Sequence, residues 1–196
     1  DLPEGIGGVH IPAYNLIGID FKRKSPLQQD VSYLAHEFTH YVQHKNDAVY
    51  FNPQRSIYEN QKIMLAMEGA AYVAEFIAMF EADRSNSLRY SNPYPWNTFR
   101  GKLYSGFKRD YNAAIKNGAD HQTAVNKAAQ DAWQTVLADQ DKLDHYNGAA
   151  ITFTLGNLDK IKPAKAANYK DPKLNEMIAR AGQLAKGIDF TNASLM

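Results

Sequence analysis

The stretch "IMLAMEGAAYVAEFIAMF", residues 63–80, is apolar nearly all round a helix, which predicts a helix buried at the centre of the fold. It belongs to a longer predicted helix from about Ile57 to Arg84. The exceptions are Glu68 and Glu75, which lie about two helical turns apart and therefore share a face. An ionised carboxylate is costly to bury unless it is paired or bound to a metal, so this face is expected to meet a cation.

The preceding stretch "LAHEFTHYVQH", residues 34–44, belongs to a predicted helix from about Leu27 to Lys45. Apolar residues recur in this helix at spacings of three and four, which is typical of an amphipathic helix with one packed face. These residues are Val31, Leu34, Ala35, Phe38 and Val42. We expect this helix to be packed on one side rather than solvated all round.

His36, Glu37 and His40 have the form H-E-x-x-H. Two imidazoles four residues apart project from one face of a helix and can hold one ion, while the adjacent carboxylate can act on a water molecule. The alternative is a chance match on a solvated helix. The packed apolar residues beside the motif favour the metal site.

The third ligand of such a site should come from a neighbouring helix. The chain has no cysteine, so His, Asp and Glu are the available ligands, and Zn²⁺ with three protein ligands and a water is the predicted ion. Glu68 is predicted to complete the set, and Glu75 to orient a ligand histidine through its second ring nitrogen. Glu59 is the competitor, but a glutamate near a helix start has an ordinary role in the helix dipole.

The other histidines are weaker candidates. His44 follows His40 by one turn and would lie too far along the helix axis to meet the same ion in a tetrahedral site. His10 and His121 are expected to be exposed to solvent. Gln43 is expected either to act near the site or to hold a loop by hydrogen bonds.

The composition limits the class of protein. A chain of 196 residues with 44% hydrophobic and 22% charged residues is typical of one soluble domain, and no apolar run of membrane-spanning length is expected. A net charge of +1 with scattered basic residues argues against nucleic acid or an anionic membrane as partner. The chain begins at Asp1, which we interpret as a processed protein or a fragment; secretion or a periplasmic location would fit processing.

The rest of the chain predicts an α+β fold that is predominantly helical. A small hairpin is expected from "GVHI" and "NLIGIDF", turned around Pro12 to Asn15. The segment "YNGAAITFTLGNL", residues 146–158, is ambiguous between strand and helix. Further helices are expected at 99–116, at 120–141 with Asp120 as its cap, and at about 172–186.

Three quoted segments resemble the zincin metallopeptidases. "GGVHIPAYNLIGID", "HEFTH" and "EGAA" are similar to the hairpin, the H-E-x-x-H helix and the E-x-x-A helix of gluzincins. The closest resemblance is to small bacterial IrrE-like and minimal metallopeptidase domains, and it covers about residues 5–80. It implies a zincin-like core over residues 5–84 and leaves 85–196 as a helical C-terminal subdomain of one domain, closing a cleft.

The resemblance implies a role for each site residue. His36, His40 and Glu68 would bind zinc, Glu37 would be the general base and acid, and a peptide would lie along an edge strand at about Leu16–Phe21. The thermolysin-like E-x-x-x-D pattern is absent, because Tyr72 stands at the aspartate position. Glu75 is the candidate substitute for that aspartate.

Gluzincins often use a downstream tyrosine or histidine to stabilise the oxyanion, and "DHYNG" offers His145 and Tyr146 for this role. The alternative for both residues is a capped helix end with a packed tyrosine. The leading hypothesis is therefore a zinc peptidase that hydrolyses peptide bonds. Two other hypotheses are a catalytically silent binding or regulatory module and a helical protein whose histidines are accidental.

Overall fold

The computed structural model describes residues 7–20, 27–46, 48, 51–52, 55–84 and 98–155. These residues form a two-stranded antiparallel sheet, a short 3₁₀ turn and five α-helices, so the predicted predominantly helical α+β fold is confirmed. The predicted helix at 172–186 lies outside the described residues. The elements are β1 (Gly8–Ile11), β2 (Leu16–Ile19), α1 (Leu27–Lys45), α2 (Ile57–Arg84), α3 (Phe99–Lys116), α4 (His121–Ala138) and α5 (Gln140–Leu155).

The predicted hairpin is confirmed. Its strands pair from Gly8 with Ile19 to Ile11 with Leu16, and a 3₁₀ turn at Pro12–Tyr14 joins them. Asn15 closes the turn in the left-handed conformation (φ 54°, ψ 41°), which asparagine tolerates better than most residues. The second strand ends at Ile19, and the predicted continuation to Phe21 lies outside the described residues.

Helix α2 lies at the centre of the fold, as its apolar sequence predicts. Its side chains from Ile63 to Phe80 are buried with few exceptions, and Leu65, Phe76 and Met79 have no exposed surface. A capping box begins the helix: the Ser56 N–H donates to Glu59 Oε2 at 2.7 Å, and the Glu59 N–H donates to Ser56 Oγ at 3.1 Å. Glu59 thus serves the start of α2.

The apolar character of α2 is stronger than expected from the sequence. The helix from Tyr58 to Arg84 is long and apolar enough to cross a membrane, whereas no run of that length was expected. However, 89% of its most apolar window is buried within the protein, as in the core helix of a soluble domain. Secretion and a periplasmic location stay predictions.

Helix α1 packs against α2 through a polar face, which the apolar periodicity of α1 does not mark. Leu34 is 49% exposed, and Val31, Phe38 and Val42 are only partly buried. The buried side chains are instead Ser32, Ala35, His36, Thr39, His40 and Gln43. This polar face lies opposite the glutamates of α2. Its buried Thr39 hydroxyl has a partner, since Thr39 Oγ1 donates to the Ala35 carbonyl at 2.9 Å.

Helices α3 and α4 also pack against α2. The Phe80 ring packs against two rings of α3, with its centroid 5.5 Å from that of Phe107 and 4.5 Å from that of Tyr111. Trp133 of α4 lies over Gly69, where an added Cβ would come within 2.8 Å of the indole, and its Nε1 donates to the Ala66 carbonyl at 3.4 Å. Gly69 therefore permits the close approach of α4.

The predicted single helix over 120–141 is in fact two helices. Asp120 caps α4 as predicted, accepting from the Thr123 N–H at 2.7 Å, but α4 ends at Ala138. Asp139 is extended (φ −76°, ψ 116°) and its Oδ1 accepts from the Lys142 N–H at 2.9 Å, which starts α5. The ambiguous segment is helical as far as Leu155, and the rest of it lies outside the described residues. The division at residue 84 into two subdomains stays a prediction.

Candidate metal centre

Three predicted ligands meet between α1 and α2. His36 Nε2 lies 3.3 Å from Glu68 Oε2, and His40 Nε2 lies 3.3 Å from Glu68 Oε1. One ligand atom from each residue lies within 4.8 Å of the other two. Both histidines are buried and the Glu68 side chain is 14% exposed, so the three groups form a compact, largely enclosed set of donors.

The second nitrogen of each imidazole has its own partner. His36 Nδ1 lies 3.2 Å from Glu75 Oε2, and His40 Nδ1 lies 2.9 Å from Gln43 Oε1. Gln43 Nε2 in turn donates to the Met67 carbonyl at 3.0 Å. These contacts direct both Nε2 atoms toward Glu68, as partners of the non-ligating nitrogen do in metal sites. The sequence predicted the role of Glu75 but left the function of Gln43 open. The position of Gln43, three residues after His40, was the signal that it could contact the His40 ring.

Glu75 also binds a cation that the sequence did not reveal. Arg100 Nε lies 3.1 Å from Glu75 Oε1 and 3.4 Å from Oε2, and the Glu75 side chain has no exposed surface. The Arg100 guanidinium lies over the rings of Tyr72 and Tyr33, at 5.0 and 5.4 Å from their centroids. Arg100 stands in the first turn of α3, in a part of the chain without a recognisable motif.

The Glu37 side chain lies against the first strand of the hairpin. Its side chain is half-buried, and a Cβ added to Gly8 would come within 2.9 Å of Glu37 Cγ and 3.4 Å of Oε1. The absence of a side chain at Gly8 thus lets β1 approach the Glu37 carboxylate closely. The hairpin therefore helps to set the position of this group.

Two buried tyrosines border the cluster. The Tyr72 ring lies 5.1 Å from the His36 ring, and burial raises the pKa of Tyr72 to about 12. Burial, the negative charge of Glu68 and a hydrogen bond to Glu68 raise the pKa of Tyr146 far above its usual range. Both hydroxyls are therefore protonated at neutral pH. Of the two downstream candidates, only Tyr146 lies at the cluster, because His145 is exposed and contacts the Tyr146 ring at 4.9 Å.

A second cation missed by the sequence reading lies beside Tyr72. Lys142 Nζ lies 3.3 Å from the Tyr72 hydroxyl and 4.5 Å from the centroid of the Phe99 ring. The side chain is half-buried, and burial together with the charge of Arg100 lowers the pKa of Lys142. Lys142 stands in the first turn of α5, so the helix break at Asp139 determines where it lies.

The electrostatics of the cluster fit a bound cation. Burial alone would lower the pKa of His36, but hydrogen bonds and attraction to Glu68 and Glu75 outweigh it and raise that pKa to about 9. Burial would likewise raise the pKa of Glu68, yet His40 and His36 hold it well below its usual range. The carboxylates thus draw positive charge to the point where the two Nε2 atoms converge, and a metal ion can supply that charge in place of a proton.

The remaining histidines lie outside this set, but two of them are not simply solvated. His10 is partly buried between the rings of Tyr41 and His44, each 5.8 Å away, and its Nε2 has no hydrogen-bond partner within the described chain. His121 Nε2 lies 2.9 Å from Glu81 Oε1. The expectation of solvent exposure for both residues is therefore wrong, because each packs against an adjacent helix.

Comparison with known proteins gives a match to a family model. The model of a family described as "Putative metallopeptidase family (DUF6782)" matches residues 8–190. The match includes the hairpin, both helices that carry the candidate ligands, and the segments that carry Arg100, Lys142 and Tyr146. No curated protein and no solved structure matches the chain.

Proposed function

Because the chain belongs to this metallopeptidase family, whose model covers nearly its whole length, we propose that it is a zinc-dependent peptidase of the gluzincin type. One observation carries the proposal: two imidazole Nε2 atoms of α1 converge on the two oxygens of a glutamate on α2. Two histidines and a glutamate are a donor set that suits Zn²⁺ in hydrolytic sites. The likeness to IrrE-like domains and the zincin-like core belong to the same proposal.

His36, His40 and Glu68 would hold the ion, which when bound supplies a Lewis acid that polarises a carbonyl and activates water. Glu37 takes a proton from the attacking water and delivers it to the leaving amine nitrogen. The Tyr146 hydroxyl, which is protonated, donates to the developing oxyanion. Glu75 and Gln43 keep the two imidazoles in the tautomer whose Nε2 is free to bind.

The substrate is proposed to be a peptide lying along β2. The Gly8–Ile19 pair stands at the end of the hairpin nearest Glu37, since a side chain at Gly8 would touch both Ile19 and Glu37. Within the described residues β2 pairs with β1 alone, so its other edge can accept an extended backbone. A peptide added there would pass close to Glu37.

The test uses the metal-loaded full-length chain and a broad peptide library. Elemental analysis of the wild type should show about one zinc per chain, which His36→Ala or His40→Ala should abolish. Glu37→Gln should keep the zinc and lose about 10²- to 10⁴-fold in kcat, while the matched control Asp131→Asn, on the exposed face of α4, should keep full activity. A protein that binds no zinc would contradict the proposal. Bound zinc without cleavage of any peptide would instead support the silent binding module.

A further inference from the structure

The side chain of Lys142 is a half-buried cation beside the proposed centre, and none of the acidic residues that the structure describes is in contact with it. Its Nζ is held by the Tyr72 hydroxyl at 3.3 Å and by the faces of Phe99 and Tyr72, at 4.5 and 5.4 Å. Glu68, Asp139 and Asp141 act on it only at longer range, and within the described residues no carboxylate lies within ion-pair distance of Nζ. A cation in this setting lacks the counter-ion that a buried charge normally has.

Arg100 contrasts with Lys142 in this respect. Its guanidinium is bound to both oxygens of the buried Glu75, so its charge is already matched by a carboxylate. Both cations lie against the Tyr72 ring, with Arg100 at 5.0 Å and Lys142 at 5.4 Å from its centroid. The ammonium group of Lys142 is therefore the cation of this pair that is left to bind an incoming anion.

The net charge of the proposed site also favours binding of an anionic group. The proposed site, counted as Glu37, Glu68, Glu75, Arg100 and Lys142, carries one negative charge in excess when its histidines are neutral. A divalent ion would reverse this and leave one positive charge in excess. Electrostatic complementarity to a substrate is then best met by one anionic group bound near Lys142.

We propose that Lys142 determines specificity by binding a carboxylate of the substrate, so that this chain acts on peptides with a carboxylate next to the scissile bond. This inference rests on the proposed function. The carboxylate is either the free C-terminus or an Asp or Glu side chain, since both present the same two oxygens to an ammonium group. The Tyr72 hydroxyl fixes the ammonium, and the Phe99 ring packs against it.

The experiment compares matched peptides that differ only in charge. Each cleaved peptide is made as the C-terminal acid and the C-terminal amide, and with Glu or Gln at each position beside the scissile bond. The wild type should prefer one charged form by about 10-fold or more in KM, with a smaller change in kcat. The acid–amide pair reports a C-terminal carboxylate, and the Glu–Gln pair reports a side chain.

The variants test whether Lys142 is responsible. Lys142→Met keeps the length and apolar stem without the charge and should reduce the preference to less than about 3-fold, whereas Lys142→Arg should retain most of it. The matched control Lys127→Met, at an exposed lysine paired with Asp131, should leave the preference unchanged. If Lys142 served only to hold Tyr72, Lys142→Met would change the KM of charged and neutral peptides by the same factor.

Binding to Glu37→Gln protein loaded with zinc gives a measurement without turnover. Calorimetric titration with the same peptides should show the charged form binding more tightly, and Lys142→Met added to this variant should remove the difference. Cleavage with equal KM for charged and neutral peptides, or binding without such a difference, overturns this inference alone. Selective binding of the charged peptide by a wild type that never cleaves would overturn the proposed function and keep this inference.

Discussion

The imidazole of His36 is held from both ends, by Glu68 at Nε2 and by Glu75 at Nδ1. Arg100 neutralises Glu75 and fixes its oxygens, so it acts on His36 through another residue and is a positioning residue. Partners of ligand histidines of this kind typically affect metal affinity by 10- to 100-fold.

Arg100→Gln is therefore expected to weaken zinc binding by about 10-fold, because the uncompensated Glu75 no longer has a fixed orientation. Arg100→Lys should recover part of the affinity, since it restores charge without the planar guanidinium. Competition with a chromogenic zinc chelator measures the change. Arg109→Gln, at an exposed arginine of the same helix, is the matched control. Equal zinc affinity in Arg100→Gln and the wild type would contradict the positioning role.

Gly8 offers a test of Glu37 that leaves the ligands untouched. In Gly8→Ala the new Cβ would come within 2.9 Å of Glu37 Cγ, so the carboxylate has to move. A displaced general base should lower kcat by at least about 10-fold while zinc stays bound, since His36, His40 and Glu68 keep their places. Steady-state kinetics and elemental analysis separate the two effects. Gly106→Ala, where a Cβ meets nothing within 4 Å, is the control and should keep full kcat.

At the level of elements, the helices that carry the ligands could be predicted from the sequence, but the packing of α1 could not. The apolar periodicity of α1 does not mark the face that meets α2, because that face has to carry the groups of the centre. Glu68 was predictable because a carboxylate in an apolar helix requires a cation. Arg100 and Lys142 were not, because their positions depend on how α3 and α5 meet α2 in space.

Because the face of α1 that meets α2 is the polar one, substitutions on its two faces should change the free energy of unfolding by different amounts. Leu34→Lys, at a side chain that is 49% exposed, should change the free energy of unfolding by about 0.5 kcal/mol or less. Ala35→Leu, at a 7% exposed position facing α2, should cost about 1–3 kcal/mol through overpacking. Urea denaturation of both variants measures the difference. A larger loss for Leu34→Lys than for Ala35→Leu would mean that the apolar periodicity identified the packed face after all.

For the molecule as a whole, the centre lies where α1 and α2 meet, and α2 also packs on α3, α4 and α5. The sequence allowed the core helix and the hairpin to be predicted because their patterns are local. It could not place the break at Asp139, because an aspartate can stand inside a helix as well as cap one, and which of these occurs depends on the packing of α5 on α2. Gln61 Nε2, which donates to the Leu143 carbonyl at 2.8 Å, is one of the contacts that fix this packing.

Because the proposed ligands join α1 to the central helix, zinc is expected to stabilise the whole fold. An ion present at 1,000 times its Kd adds about 4 kcal/mol to the free energy of unfolding, which for a chain of this length raises Tm by roughly 10 °C. Scanning calorimetry of the full-length chain with zinc and with excess chelator measures the shift. Glu68→Gln should lose most of this shift, because an amide is a poor substitute for a carboxylate ligand, whereas Glu81→Gln, on the same helix outside the centre, should retain it. A Tm that does not respond to zinc in the wild type would show that the convergence of His36, His40 and Glu68 serves some purpose other than holding a metal.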